Sequence, residues 1–325
     1  MKEMKFLYLS QADVIATGVS MKEIIDAIES AFREKGNGAT EMPPKPGVHS
    51  MPDAFIHAMP AYIPALRSIG MKWVSGYPGN GERGLPYISG LLILNDPETG
   101  LPIAVMDCVW ITAKRTGAAT AVAARRLARP ESEAVGILGA GVQGMSNLEA
   151  LKECFPLKKV TVHDTRPKQM DSYEAFVHGH WPELEIVKTA DPRQAVEEAD
   201  IVVTAGPILK KPHATIKKGW LPTGAFASLV DYDSYWHKDA FREIDKFVTD
   251  DVPQLEHYRK MGYFQSIPPI YADLGELVTG KKPGRGNIQE RIMACNLGLA
   301  IDDMATAPIV YRHAIENKIG TWLPL

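Results

Sequence analysis

The most specific chemistry legible in this 325-residue sequence sits in Gly139-Ala-Gly141-Val-Gln-Gly144, which has the spacing G-x-G-x-x-G. The loop follows the short apolar run Ala134–Leu138 and opens a stretch with helical character, and Asp164 lies 20 residues past Gly144. That context suits a phosphate cradle. Gly139 permits a tight turn, Gly141 lets the backbone approach a pyrophosphate, and Gly144 lets helix and strand pack closely. Val142 and Gln143 open the helix, whose free N–H groups would face the phosphates. Asp164 would accept hydrogen bonds from an adenosine ribose, and its charge would repel a 2′-phosphate. NAD is therefore the expected cofactor, with NADP kept open by Arg166 two residues on.

Other polar residues are suggestive in type and ambiguous in setting. Lys72 lies in Gly70-Met-Lys72-Trp, on an apolar stretch. It can be an inward ammonium, with burial lowering its pKa, or a lysine on the polar face of a half-buried strand. Arg115, in Lys114-Arg-Thr-Gly117, can grip a carboxylate in bidentate fashion or lie on a solvated helix face. Asp231 and Asp233 close the segment Gly224–Asp233 and can serve as a base or as a turn. His57 is near its titration point at neutral pH. His49, His163, His178, His180, His213, His237, His257 and His313 show no ligand spacing beyond His178-Gly-His180, so no metal site is expected. No serine has the G-x-S-x-G setting of a hydrolase.

The elements that must position these residues fall into two styles. Lys5–Leu9 alternates as a strand, and Ser10 with Asp13, then Ser20 with Glu23, give helix-capping patterns. Ile24, Ile25, Ile28, Ala31 and Phe32 share one helical face, which ends at Gly36-Asn-Gly38. Residues 39–107 are broken by proline and glycine into short extended pieces, Ala54–Met59, Ile69–Ser75, Ile88–Leu94 and Ile103–Met106. They predict an antiparallel sheet with hairpin connections. Trp110–Ala128 predicts a helix, and Thr116-Gly117 would begin one whose N-terminus meets the pyrophosphate. From Ala134 strand and helix alternate: Val142–Cys154 helix, Lys159–His163 strand, Lys168–Gly179 helix, Glu185–Lys188 strand, Arg193–Ala199 helix, then strands Ile201–Thr204 and Ala225–Val230. This rhythm predicts a parallel sheet covered on both faces. A last helix is expected over Leu297–Glu316, kinked at Pro308.

Composition narrows the class. Hydrophobic residues make up 45% and charged residues 23%, and 36 basic against 39 acidic side chains leave a net charge of −3. That is a globular chain long enough for two cores, without the basic field that nucleic acid or an anionic membrane would need. The start carries Glu3, Gln11 and Asp13 and lacks a leader's apolar run. The three cysteines, Cys108, Cys154 and Cys295, are sparse and far apart, as in a reducing compartment. A cytoplasmic protein is expected.

Several stretches together resemble the ornithine cyclodeaminase/mu-crystallin family. They are Lys72–Asn80 (KWVSGYPGN), Asn95–Asp107 (NDPETGLPIAVMD), Thr112–Ala118 (TAKRTGA), Gly139–Gly144, and the tail Gly280–Arg285 with Leu297–Asp302. The resemblance spans nearly the whole chain. It implies an α/β protein with a Rossmann dinucleotide-binding domain, residues 116–302, and a split α+β substrate-binding and dimerisation domain, residues 1–115 with 303–325. Members are mostly homodimers. It also implies hydride transfer from the α-carbon of an amino acid to a nicotinamide, with an imine as the common intermediate.

By position the resemblance makes Lys72 the catalytic lysine and Arg115 a carboxylate ligand, with Lys45 beside it. A gap-free count from Gly224 makes Asp233 the catalytic aspartate and Asp231 its rival. Thr116 and Thr204 join Gly139, Gly141, Val142, Gln143, Gly144 and Asp164 as cofactor contacts. His57 falls where cyclodeaminases carry a glutamate and alanine dehydrogenases an arginine. Lacking that glutamate, the chain is expected to be an NAD-dependent amino acid dehydrogenase or imine reductase, nearer the alanine dehydrogenases. The substrate would be a small amino, imino or keto acid. The alternatives are a cyclodeaminase-type lyase, which makes proline and ammonia from ornithine without net NADH, and a non-catalytic NAD(P)- and ligand-binding protein.

Overall fold

The computed structural model describes residues 4–325, so Glu3 lies outside the described residues. The chain divides into two compact units: the residues through Arg115 together with Gly298–Leu325, and Thr116–Leu297. The first cut falls inside the helix Val109–Leu127. The second falls after Leu297 and not after Asp302, because the turn from Gly298 onward is tied to the first unit. The Lys45 Nζ donates to the Gly298 carbonyl at 3.0 Å, and Arg115 reaches Asp302 at 3.4 Å.

The first unit is built on a seven-stranded sheet in the order Thr321–Pro324, Lys5–Leu9, Pro102–Asp107, Ile88–Asn95, Ser68–Gly76, Phe55–Ile63, Gly47–Val48. The four extended pieces expected within residues 39–107 pair antiparallel in sequence order, as the hairpin pattern predicts, and the sheet as a whole is mixed only through its first strand. Lys5–Leu9 runs parallel to Pro102–Asp107, pairing Leu7 with Ala104. The two capping patterns do form boxes: Ser10 with Asp13 opens Gln11–Ala16, and Ser20 with Glu23 opens Met21–Gly36. The latter helix buries Ile24, Ile25, Ile28, Ala31 and Phe32. The helix Ala300–Glu316 packs against it and against the strands Phe55–Ile63 and Ser68–Gly76. It runs on through Pro308, and it starts later than the expected Leu297 because Leu299 is its cap residue.

The second unit is an eight-stranded, wholly parallel sheet. Its order is Ile270–Asp273, Lys246–Thr249, Ile292–Cys295, Phe226–Leu229, Ile201–Thr204, Ala134–Leu138, Lys159–His163, Glu185–Lys188. Chain order runs outward from Ala134–Leu138 to Glu185–Lys188, then jumps back to Ile201–Thr204 on its other side. This reversal is the topological switch of a Rossmann sheet, where ligands sit beyond the carboxyl ends of the strands. The strands Lys246–Thr249 and Ile270–Asp273 and the helices Val252–Lys260 and Leu274–Val278 were not anticipated. Among the described residues, no helix is long and apolar enough to cross a membrane.

Candidate functional site

Strand alternation decides where Lys72 points. In Ser68–Gly76 the even-numbered residues are buried, and Lys72 falls in that phase with Ser68, Gly70 and Val74. The covering helix is held close: Ser68 Oγ donates to the Met304 carbonyl at 2.6 Å, and a Cβ on Gly70 would strike the Ile93 carbonyl and Met304. Lys72 is thus a fully buried ammonium, 2.7 Å from each oxygen of Asp303 and 3.3 Å from Thr112 Oγ1. Burial pulls its pKa below the usual lysine range, the Arg115 guanidinium adds to that fall, and Asp303 opposes it.

Arg115 is buried beside it. Its Nη1 lies 3.4 Å from Asp302 Oδ2 and its Nε 3.4 Å from Asp303 Oδ1, while Nε makes no hydrogen bond. Gly298, with φ of +76°, leaves the room this guanidinium occupies. Lys45 donates to the Gly298 carbonyl, so Lys45, Lys72 and Arg115 converge on one end of the helix Ala300–Glu316. His57 shares the face of Lys72, since Met59 pairs with Lys72 and His57 with Val74. Its ring stacks on Phe55 at 4.3 Å and meets His49 edge-on at 6.2 Å.

In the second unit the glycine loop has the geometry its spacing promised. Gly139 has φ of +107°, and side chains there or at Gly144 would collide with the Ala205 and Gly139 carbonyls respectively. At Gly141 a Cβ would meet nothing within 4 Å, and no side chain caps the helix Val142–Lys152 that it opens. Val142 is exposed, and the buried Gln143 Oε1 has no partner. Asp164 takes hydrogen bonds from the Ala140 N–H at 3.0 Å and from Arg166 N–H at 2.9 Å, and Arg166 Nε lies 3.3 Å away. Open room at Gly141, uncapped helix N–H groups and a carboxylate at the next strand end together fit a dinucleotide.

Thr116 corrects the expectation of a helix start. The helix begins at Val109, so Thr116 lies about two turns inside it and presents no helix N-terminus. The following Gly117 allows close packing, since a Cβ there would strike the Ser146 carbonyl. Thr204 ends its strand at the switch point with its hydroxyl committed to Asp231 Oδ1 at 2.7 Å.

The two candidate aspartates have different surroundings. Asp231 is fully buried and also accepts from the Gly206 N–H at 3.0 Å, and burial raises its pKa to about 7. Asp233 keeps a buried Oδ1 without a partner, and burial raises its pKa against the lowering effect of its own and Phe264 backbone N–H groups. Between them Tyr232 adopts a left-handed φ of +62°, braced by rings of Phe264 and Tyr258 at 4.9 and 5.2 Å. Lys72 and Asp233 belong to different units.

The family model described as "Ornithine cyclodeaminase/mu-crystallin family" matches residues 5–318. The chain belongs to this family. Among its relatives, the alanine dehydrogenase of Archaeoglobus fulgidus is 34% identical, with 98% of each chain covered. The solved Δ1-pyrroline-2-carboxylate reductase of Thermococcus litoralis, in complex with NADH and L-proline, is 34% identical with a TM-score of 0.88, over 97% of this chain and 99% of that one. An archaeal alanine dehydrogenase dimer with bound NAD is 31% identical with a TM-score of 0.87, over 98% and 99%.

In this family member, sequence reading overlooked Asp302 and Asp303 as partners of Arg115 and Lys72. Asp302 closed a quoted motif but carried no assigned role. The available signal was two adjacent acids entering an otherwise apolar helix, a pairing that burial makes costly without cationic partners.

Proposed function

We propose that the protein is an NAD-dependent oxidoreductase acting on the C–N bond of a small L-amino acid or its imine. The observation that carries this reading is the buried convergence of Lys72, Arg115 and Lys45. It is supported by full-length likeness to an alanine dehydrogenase and a pyrroline-carboxylate reductase. The unit Thr116–Leu297 is read as the dinucleotide-binding domain, with Gly139, Gly141, Val142, Gln143, Gly144 and Asp164 as its cradle. Thr204 contributes through the strand end it closes, and Thr116 through the close packing that adjoining Gly117 allows. The nicotinamide cofactor, when bound, supplies the hydride acceptor or donor.

The chain's own groups do the rest. Arg115 and Lys45 grip the substrate carboxylate, a task suited to a guanidinium fork with spare donors. Lys72 donates to the substrate and holds a proton at Nζ. Asp233, through its unpartnered Oδ1, takes a proton from the amine or from attacking water. His57 lies along the same face and bounds the substrate. Asp302 and Asp303 already stand opposite Lys72 and Arg115, and His57 occupies the place of the cyclodeaminases' glutamate, so cyclisation is the weaker reading. We read the protein as a cytoplasmic homodimer; among the described residues no cysteine is in a disulfide.

The test is a screen of small amino acids with NAD and NADP, and of their keto or imino acids with the reduced cofactors, following NAD(P)H absorbance and ammonia. NADH formed in proportion to amino acid consumed is expected. Ammonia and a cyclic amino acid without net NADH would establish the lyase instead. Dinucleotide binding without turnover of any amino or imino acid would leave a ligand-binding protein.

A further inference from the structure

Asp302 and Asp303 stand side by side in the first turn of the helix Ala300–Glu316, both fully buried. Asp302 has a local duty, accepting the Leu299 N–H at 2.9 Å as part of the helix cap. Asp303 has no such duty. Its carboxylate faces Lys72 Nζ at 2.7 Å and Arg115 Nε at 3.4 Å. The groups facing Lys72 are few. The strand neighbours Met59 and Leu92 are apolar, the helix Val109–Leu127 offers the Thr112 hydroxyl and Arg115, the Cys108 thiol precedes that helix, and Asp302 and Asp303 come from the covering helix.

We propose that Asp303 is a positioning residue for the reaction: its carboxylate fixes the Lys72 ammonium in place and in its charged form, while Asp302 steadies Arg115. The proposal rests on the oxidoreductase reading for its role in turnover. Its physical content is separate: a buried ammonium keeps its proton only while an opposite charge stays beside it. A ligand carboxylate arriving at Arg115 and Lys45 would meet a lysine already oriented, so little ordering is left for the moment of reaction.

The decisive comparison is the holoenzyme against Asp303→Asn and Asp303→Glu. In Asp303→Asn, kcat should fall about 100-fold, as expected for misplacement of a reacting group. The alkaline limb of kcat/KM should move down by about one pH unit or more, while NAD affinity stays at the parent value. Asp303→Glu keeps the charge and should return the alkaline limb to its parent position with reduced kcat. A readout without turnover is the ¹⁵N NMR titration of the Lys72 ammonium, assigned with Lys72→Arg; its midpoint should fall in Asp303→Asn. Equal Lys72 midpoints in parent and Asp303→Asn overturn the proposal. Should Asp303→Asn not fold, parent kcat in Asp303→Glu overturns it. A parent protein that turns over no amino or imino acid defeats the oxidoreductase reading alone, and the NMR titration still decides the charge on Lys72.

Discussion

Two carboxylates two residues apart invite confusion, and the backbone between them separates their work. A bulky residue with positive φ is strained, and such strain persists where packing over-determines it, here the aromatic group around Tyr232. Asp231 spends both oxygens on Thr204 and Gly206, whereas Asp233 retains an open one. Asp233→Asn should therefore lower kcat by roughly 10²–10⁴, and Asp231→Asn should be milder. Asp231 should instead shape stability. Its pKa rises from 3.8 unfolded to about 7 folded, because burial disfavours the anion. Between those values the folded chain holds a proton that the unfolded chain has released. This contribution is therefore lost as pH rises from about 4 to about 7 and is level above. Asp302, raised to about 6, acts in the same direction over a narrower window. The Tm of Asp231→Asn minus that of the parent should climb across this range. A pH-independent difference in thermal scans would show that Asp231 does not titrate there.

At the scale of elements, the glycine loop separates binding from folding. Gly141 has an ordinary φ of −85° and open space where a Cβ would go. Gly141→Ala should fold with a parent Tm and lose at least ~10-fold in NAD affinity, a change of about 1.4 kcal/mol. Gly144→Ala drives a methyl into the Gly139 carbonyl and should cost about 1–3 kcal/mol of stability. Calorimetric titration with NAD beside thermal melts would read the two apart, and unchanged NAD affinity in Gly141→Ala would remove the pyrophosphate from this loop. The loop was legible because its signals are local: strand, turn, helix and carboxylate follow within one βαβ unit. The same holds for the capping boxes and for Lys159–His163, Glu185–Lys188 and Ile201–Thr204, whose bounds match the expected ones. Lys246–Thr249 was not legible, because four residues beginning with lysine carry no period. The Lys72–Asp303 pair was hidden for another reason: its members lie 231 residues apart, and only the folded sheet and its covering helix bring them together. The parallel pairing of Lys5–Leu9 with Pro102–Asp107 is likewise a property of topology that hairpin spacing does not report.

At the scale of the whole molecule, the question is what covers the outer face of the mixed sheet. Residues paired across a ladder share a face, so Trp73 and Leu91 lie together, as do Met71, Ile93, Val105 and Tyr8, with Phe6 opposite Leu323. Trp73 and Leu91 are each 45% exposed and Tyr8 37%. These side chains point away from the face that carries Lys72, because strand alternation puts odd and even residues on opposite sides. A contiguous apolar sheet face of this kind marks an association surface more often than an idle one. A second copy of the chain is the occupant we expect, since an isologous contact lets one patch serve both sides. Such an interface needs roughly 800 Å² per partner, and charges at its centre should oppose it. Light scattering at micromolar concentration should give a dimer for the parent. The variant Trp73→Asp with Leu91→Asp should shift toward monomer while NAD affinity stays at the parent value, because the cradle belongs to the other unit. A monomeric parent would leave this face without its partner, and a double variant that remains dimeric would move the interface elsewhere on the chain.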